Sequence, residues 1–263
     1  TTVYAWNDER PSQRTEHQET LSQSLTGGHI HAGDDVVLGA GNALALSAAD
    51  ISAGGHIGLA GRVVLSDAQA LIEGTGSETR MISGPLSAGL TDIHSTETVV
   101  GSRLSAGGDI LVVAHVPEGA TGEEAIAAIA MTSVTLEAGG RIGIAAEGDV
   151  LSDAAPRHTL DDTRNSSGSN IDSTVTNSWV ASSLSAQAIT ISGEDVTLVG
   201  ARLASPGVTR IAATGDLALD AGVDHSREHH LSTRSSGAFI EKLRVDETLS
   251  ESVLAHPTHI AAS

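Results

Sequence analysis

One phrase recurs four times along the chain: Glu19-Thr20-Leu21-Ser22-Gln23-Ser24-Leu25, Glu97-Thr98-Val99-Val100-Gly101-Ser102-Arg103-Leu104, Thr176-Asn177-Ser178-Trp179-Val180-Ala181-Ser182-Ser183-Leu184 and Glu247-Thr248-Leu249-Ser250-Glu251-Ser252-Val253-Leu254. Its closing leucines are 79, 80 and 70 residues apart. Long-period self-similarity without a helical heptad predicts a quasi-one-dimensional architecture, in which each unit buries its apolar face only against its neighbours. Such a chain folds into a rod.

A shorter period runs inside each unit. Residues i and i+2 of a strand face the same side, so alternating apolar pairs mark strands. The third unit gives Ile189/Ile191, Val196/Leu198, Leu203, Ile211/Ala213 and Leu217/Leu219, with starts 7, 7, 8 and 6 residues apart. The first gives Ile30, Val36/Leu38, Leu44/Leu46, Ile51, Ile57/Leu59 and Val63/Leu65. Three short strands to a lap of about 20 residues is the period of a parallel β-helix or solenoid. Gly27-Gly28, Gly54-Gly55, Gly107-Gly108 and Gly139-Gly140 each precede a strand by one residue, and glycine supplies the bend there. An antiparallel sandwich would call for Asn-Gly or Asp-Gly hairpin signals, and neither dipeptide occurs.

Composition agrees with a thin core. One Phe, one Tyr and two Trp among 263 residues cannot fill a large globular interior, whereas Ala, Val, Ile and Leu suit stacked strands. The formal charge of −19, from 14 Lys+Arg against 33 Asp+Glu, repels nucleic acid and anionic lipid. No apolar run reaches the length of a membrane span. Cysteine is absent, which excludes disulfides and thiolate metal sites and suits export in an unfolded state. The chain opens in a polar stretch and stops inside its fourth repeat, so we expect a piece of a longer protein.

The expected organisation is a polar lead-in at 1–23, possible as an arm, then a continuous repeat region over 24–263. Its units span about 24–97, 98–176 and 177–247, with a partial unit at 248–263. Three polar segments break the rhythm, Ile72 to Glu97, Arg157 to Thr176 and Gly222 to Glu247, and are expected as loops or β-arms leaving the rod. A further insertion, Pro117 to Met131, reads either as a short helix capped by Thr121 or as an apolar strand after a loop.

The phrases Asp50-Ile51-Ser52-Ala53-Gly54-Gly55-His56-Ile57, Gly101-Ser102-Arg103-Leu104-Ser105-Ala106-Gly107-Gly108-Asp109-Ile110 and Gly193-Glu194-Asp195-Val196-Thr197-Leu198-Val199-Gly200-Ala201-Arg202-Leu203 resemble the haemagglutinin repeats of filamentous-haemagglutinin-like exoproteins. The polar stretch Asp224 to Phe239 resembles the segment that separates such coils in that family. The chain departs from the pattern at Ser205-Pro206-Gly207 and at Gln187-Ala188. The resemblance implies a right-handed parallel β-helix with polar excursions, in a bacterial two-partner-secretion protein exported through an outer-membrane transporter. It also implies a place in the secreted or cell-surface fraction, as an adhesin or as the stalk of a contact-dependent growth inhibition toxin.

Candidate chemistry is sparse. His29/His31 and His225, His229 and His230 are the histidine groupings that could reach a metal, but neither has the spacing of a known site. Asp35, Asp109 and Asp149 read as corner residues that form turns rather than as calcium ligands. Asp161/Asp162 and Glu123/Glu124 are adjacent carboxylates whose strand geometry sends them to opposite sides, and they read as solvated acidic corners instead of a sugar-cleaving pair. No Gly-x-Ser-x-Gly elbow is present. Tyr4, Trp6 and Trp179 are the rings that could anchor a partner, and His225 to Arg234 the stretch that could meet an anionic glycan. The expected function is a non-enzymatic stalk or adhesive segment with no catalytic residue, cofactor or metal. Its partners would be the transporter and a receptor or glycan on a target cell, with end-to-end self-association at exposed sheet edges. The alternative is a β-helical polysaccharide-degrading enzyme.

Overall fold

The computed structural model describes residues 2–7, 10–83, 86–165, 170–236 and 242–262. The chain is all-β, with parallel strands in stacked sheets and a β-helix-like course; among the described residues a single 3-10 turn, at Gly122–Ala125, interrupts it. It visits three parallel sheets in turn. The first sheet holds His29–Ala32, Asp50–Ala53, Arg103–Ala106, Thr135–Ala138, Ser183–Ser185, Arg202–Ser205 and His259–Ala262. The second holds Val36–Gly39, Ile57–Gly61, Ile110–Ala114, Arg141–Ala146, Ala188–Gly193 and Thr209–Ala213. The third holds Ala43–Ser47, Val63–Asp67, Ala128–Thr132, Asp149–Asp153, Val196–Val199 and the start of Leu217–Ser236.

Strict register aligns like residues into columns. On the first sheet Ile30, Ile51, Leu104, Leu136, Leu184, Leu203 and Ile260 stand one above another. On the second, Val36, Ile57, Ile110, Ile142 and Ile189 do the same, and beside them Leu38, Leu59, Val112, Ile144, Ile191 and Ile211. Side chains from all three sheets meet in one continuous core. Because successive strands pair parallel and in register, each β-branched or leucine side chain packs on its counterpart in the next circuit, which is how a chain poor in rings stays dry inside. The third sheet breaks one of its inner columns at two places. Ser66 and Ser152 flank Met131 there, all three buried, and both hydroxyls lack a hydrogen-bond partner.

The polar segments are hairpins. Gln69–Ser83 pairs with Leu86–Val100, Ala155–Asn165 with Asn170–Val180, and the distal part of Leu217–Ser236 with Lys242–Pro257, all antiparallel. The hairpins also pair with one another and with Arg10–Ser22, and Thr2–Asn7 adds a strand outside it, so the excursions form one antiparallel flank sheet. Each hairpin leaves from the third sheet and returns to the first. Antiparallel hairpins therefore occur without Asn-Gly or Asp-Gly, against the expectation drawn from those dipeptides. Pairing over eleven or more residues in each arm outweighs a favourable turn dipeptide.

The recurrent phrase is the end of each returning arm and its entry into the first sheet. Ser102 Oγ accepts the N–H of Ala49, and Ser182 Oγ accepts the N–H of Val134 while donating to the carbonyl of Asp153 (3.2, 3.1 and 3.3 Å). Both serines are fully buried, so the hydroxyl serves backbone groups that the returning chain would otherwise leave unpaired. Leu104 and Leu184 stand in the inner column, but Leu25 and Leu254 do not: they are 40% and 60% exposed, and Ile30 and Ile260 occupy the column. The linkers between arm and sheet differ in length, so the closing leucine of the phrase does not mark one structural position.

Where no hairpin is inserted, the chain turns from the third sheet to the first through Ala48, Ser133 or Gly200, with φ of 44°, 54° and 60°. Glycine is suited to that left-handed geometry; Ala48 and Ser133 adopt it at a cost. Circuits with a tight corner and circuits with a hairpin alternate. A hairpin adds two strands to the flank sheet while two circuits add two strands to each parallel sheet, and strands are about 4.8 Å apart in both. The long repeat is thus the shortest unit in which both ladders advance together.

Among the described residues the first sheet has seven strands and the other two have six parallel positions each, because the hairpins take up chain that would otherwise form further circuits. The alanine-rich insertion resolves into a 3-10 turn with no side-chain cap from Thr121, followed by the strand Ala128–Thr132, in which Ile129 and Met131 are buried. Alternate burial decides for strand over helix.

Candidate binding surfaces

The corner between the first and second sheets carries a ladder of side-chain acceptors. His56 N–H donates to Asp35 Oδ1 (2.7 Å), Asp109 N–H to His56 Nδ1 (2.9 Å) and Arg141 N–H to Asp109 Oδ1 (2.7 Å). His56 Nδ1 faces an N–H and so carries no proton of its own in this arrangement. The preceding glycines make the ladder possible. A Cβ on Gly55 or Gly140 would run into the carboxylate of Asp35 or Asp109, and one on Gly108 would stand 2.7 Å from the His56 ring. The Arg141 guanidinium also donates to Asp109 Oδ2 (3.1 Å). The Arg141 N–H first, and its guanidinium second, hold the Asp109 carboxyl below its ordinary value.

A similar ladder marks the corner into the third sheet. Asp195 N–H donates to Asp149 Oδ1 (3.3 Å) and Asp216 N–H to Asp195 Oδ1 (2.7 Å). Asp35, Asp109 and Asp149 therefore each accept the backbone N–H of the next circuit. At Ser205-Pro206-Gly207 the pattern changes: Ser205 Oγ donates to the Gln187 carbonyl (3.0 Å) and accepts the Gly207 N–H (3.1 Å), closing the turn without a glycine pair.

Beside the first ladder lies a shallow groove of about 460 Å³ on the outer face of the second sheet. Its floor is Val37, Gly58, Leu111, Gly143 and Thr190, one above another in register. Val37 and Leu111 are 78% and 49% exposed and stand proud of the glycines between them. Its rim is Asp35, His56, Asp109 and Arg141. The sequence shows this surface only as two glycines inside apolar triplets, Ile57-Gly58-Leu59 and Ile142-Gly143-Ile144, and it takes the strand register to bring them under one another.

The flank sheet is the second surface. Its exposed side chains include Leu21, Leu90, Ile93, Val175, Trp179, Leu249 and Val253. Histidine–carboxylate pairs run across it: His94 with Asp161, His229 with Glu247 (3.0 Å), His256 with Asp224 (2.8 Å) and His158 with Glu97 (3.9 Å). Trp179 is 40% exposed, its backbone N–H donates to Asp224 Oδ1 (3.0 Å), and its side chain lies beside Gly222.

The remaining candidates are scattered. His31 Nδ1 meets Ser52 Oγ (2.6 Å) and His29 lies 3.7 Å from Asp50 on the outer face of the first sheet. His225 and His229 share one side of their strand and His230 the other. Among the described residues no group of three or more His, Cys, Asp or Glu could hold a metal ion. Asp161 and Asp162 do face opposite sides, but Asp162 is buried and paired with Arg164 (2.7 Å), not a solvated corner, because its strand is covered on that side. The side chains of Tyr4, Trp6, Glu123, Glu124 and Arg234, and the residues Gly237, Ala238 and Phe239, lie outside those described.

In comparisons with known proteins, no family model, no curated protein and no solved structure matches this chain.

Proposed function

We propose that the chain is a right-handed parallel β-helix shaft, a non-enzymatic stalk or adhesive segment of a large secreted bacterial surface protein. One observation carries this reading: strand register is kept from His29 to Ala262 in parallel sheets that share a core, while the hairpins stack in step along one flank. A structure built by repetition transmits position along its length and presents the same outer surface many times, which suits reach and multivalent contact. The acidic charge keeps such a shaft soluble and apart from anionic polymers.

In this reading an outer-membrane two-partner-secretion transporter exports the chain, whose lack of cysteine avoids loop closure during passage, and folding outside the cell draws it through. The surface then meets a receptor or glycan on a host cell, or holds a C-terminal toxin towards a neighbouring bacterium. Exposed strand edges at both ends of the parallel sheets favour end-to-end association. The test is adhesion of beads coated with the chain to epithelial cells and to unrelated bacteria. Binding above that of beads coated with an acidic globular protein of equal charge supports the adhesive role; background binding to both cell types overturns it.

A further inference from the structure

The outer face of the second sheet is unlike the rest of a chain with a formal charge of −19. From Val36–Gly39 to Ala188–Gly193 its outward positions are Val37, Gly39, Gly58, Ala60, Leu111, Val113, Arg141, Gly143, Ala145, Ala188, Thr190 and Ser192, and the one charge among them, Arg141, stands at the rim. Along one column the residues alternate large and small: Val37, Gly58, Leu111, Gly143. Leu111 leans over Gly143, its Cδ1 3.0 Å from where a Cβ would stand there, which leaves the wider notch over Gly58, where only the tips of Val37 approach, at 3.9 Å.

We infer that this face binds a second copy of the same chain, packed face to face and antiparallel. The alternation selects the operator. A two-fold axis along the strand direction reverses the order of circuits, so Leu111 of one copy enters the notch over Gly58 of the other and Val37 lies opposite Gly143, twice over. A two-fold axis along the stacking direction sets Val37 against Val37 and Leu111 against Leu111, knob on knob. The rim gives the same answer independently. Its order is Asp35, His56, Asp109, Arg141, and the antiparallel operator brings Asp35 of one copy to Arg141 of the other and His56 to Asp109. The parallel operator gives no such match of charge. Isologous contacts of this kind close after two copies. Four strands of about five residues offer roughly 300 Å² of flat face per copy, which places the contact among the small, weak and transient ones. This inference does not depend on the proposed role in adhesion.

The experiment uses the absence of natural cysteine. In the double variant Val37→Cys/Gly143→Cys the two thiols of one copy are three strands apart, about 14 Å, too far to bridge internally, but the antiparallel pair brings each to its counterpart. A short bis-maleimide, which reaches across facing sheets about 10 Å apart but not along the roughly 14 Å within one copy, is expected at high protein concentration to give a covalent dimer at least about tenfold faster than with either single variant, with position 37 linked to position 143 in peptide mass spectra. Adding Leu111→Asp, an exposed change that leaves the core untouched, is expected to abolish the linkage. Equal cross-linking by Val37→Cys alone would establish the parallel arrangement and overturn the inference. Absence of any dimer in the double variant would overturn it, and so would persistence of the link after Leu111→Asp.

Discussion

The stacked circuits and the flank sheet belong to the same chain and follow the same strand spacing, yet they are held together differently. In the circuits, Ile51, Ile57, Ile142, Ile189 and Val196 are essentially without solvent contact. In the flank sheet, Leu249, Val253 and Leu254 are more than half exposed, and the contacts that repeat are backbone pairs and histidine–carboxylate pairs. Burial of alkyl side chains stabilises the first region, whereas ladder hydrogen bonds and exposed histidine–carboxylate contacts, each contributing little, stabilise the second. The order of pairing differs as well. Each hairpin joins neighbours in sequence, but each circuit must find a partner about twenty or more residues away, so the hairpins form at lower entropic cost and the circuits supply most of the stability.

The largest effect should come from the shared core. Ile189→Ala is expected to cost about 2–5 kcal/mol, and Leu249→Ala in the flank sheet well under 1 kcal/mol, by urea denaturation. Equal losses would mean that the flank sheet is itself a packed layer. Next comes the corner. A Cβ on Gly107 would be driven into the carbonyl oxygen of Gly54, so Gly107→Ala should cost roughly 1–3 kcal/mol. Gly76→Ala in a hairpin meets nothing and should be close to neutral by the same measurement.

Two substitutions should run the other way. Ala48→Gly and Ser133→Gly relieve left-handed backbone at the tight corners and are each expected to gain up to about 1 kcal/mol, less the entropy that glycine loses on folding, read as a rise in Tm. A fall in Tm would show that the corner is not strained. The smallest effect concerns Asp109, whose side chain is about one-third exposed. Its carboxyl is held below the ordinary value of 3.8, so the bond to Arg141 contributes fully above that pH and is lost as pH falls through the lower, folded-state value. The advantage of the native chain over Asp109→Asn should therefore be constant from neutral pH down to about 4 and vanish in stronger acid. An advantage that grew below pH 4 would contradict this assignment.

The inner columns were legible in the sequence because parallel register makes alternation visible: the pairs Ile189/Ile191 and Val196/Leu198 are both buried and in register with their neighbours. The corner aspartates were legible too, since a short acceptor within two residues of a corner glycine has few other uses. The hairpins were visible only as a loss of rhythm. Their strands carry polar residues on both sides, so no alternation of apolar and polar residues reports the pairing. The buried Asp162 was missed for the same reason, as its partner Arg164 lies two residues on, with nothing apolar nearby to mark that side as covered. The groove over Gly58 depends on residues that adjoin only after four strands are aligned, information that pairwise spacing along the chain does not hold.

The step shared by hairpins and circuits sets a rule for how such a protein can change length. Removing one circuit would leave an odd arm with no rung to meet, and adding one would open a gap of one strand in the flank. Duplication or loss is tolerated only as a block of two turns with its arm pair, so natural variants of this chain should differ by whole multiples of some seventy-five to eighty residues rather than by twenty.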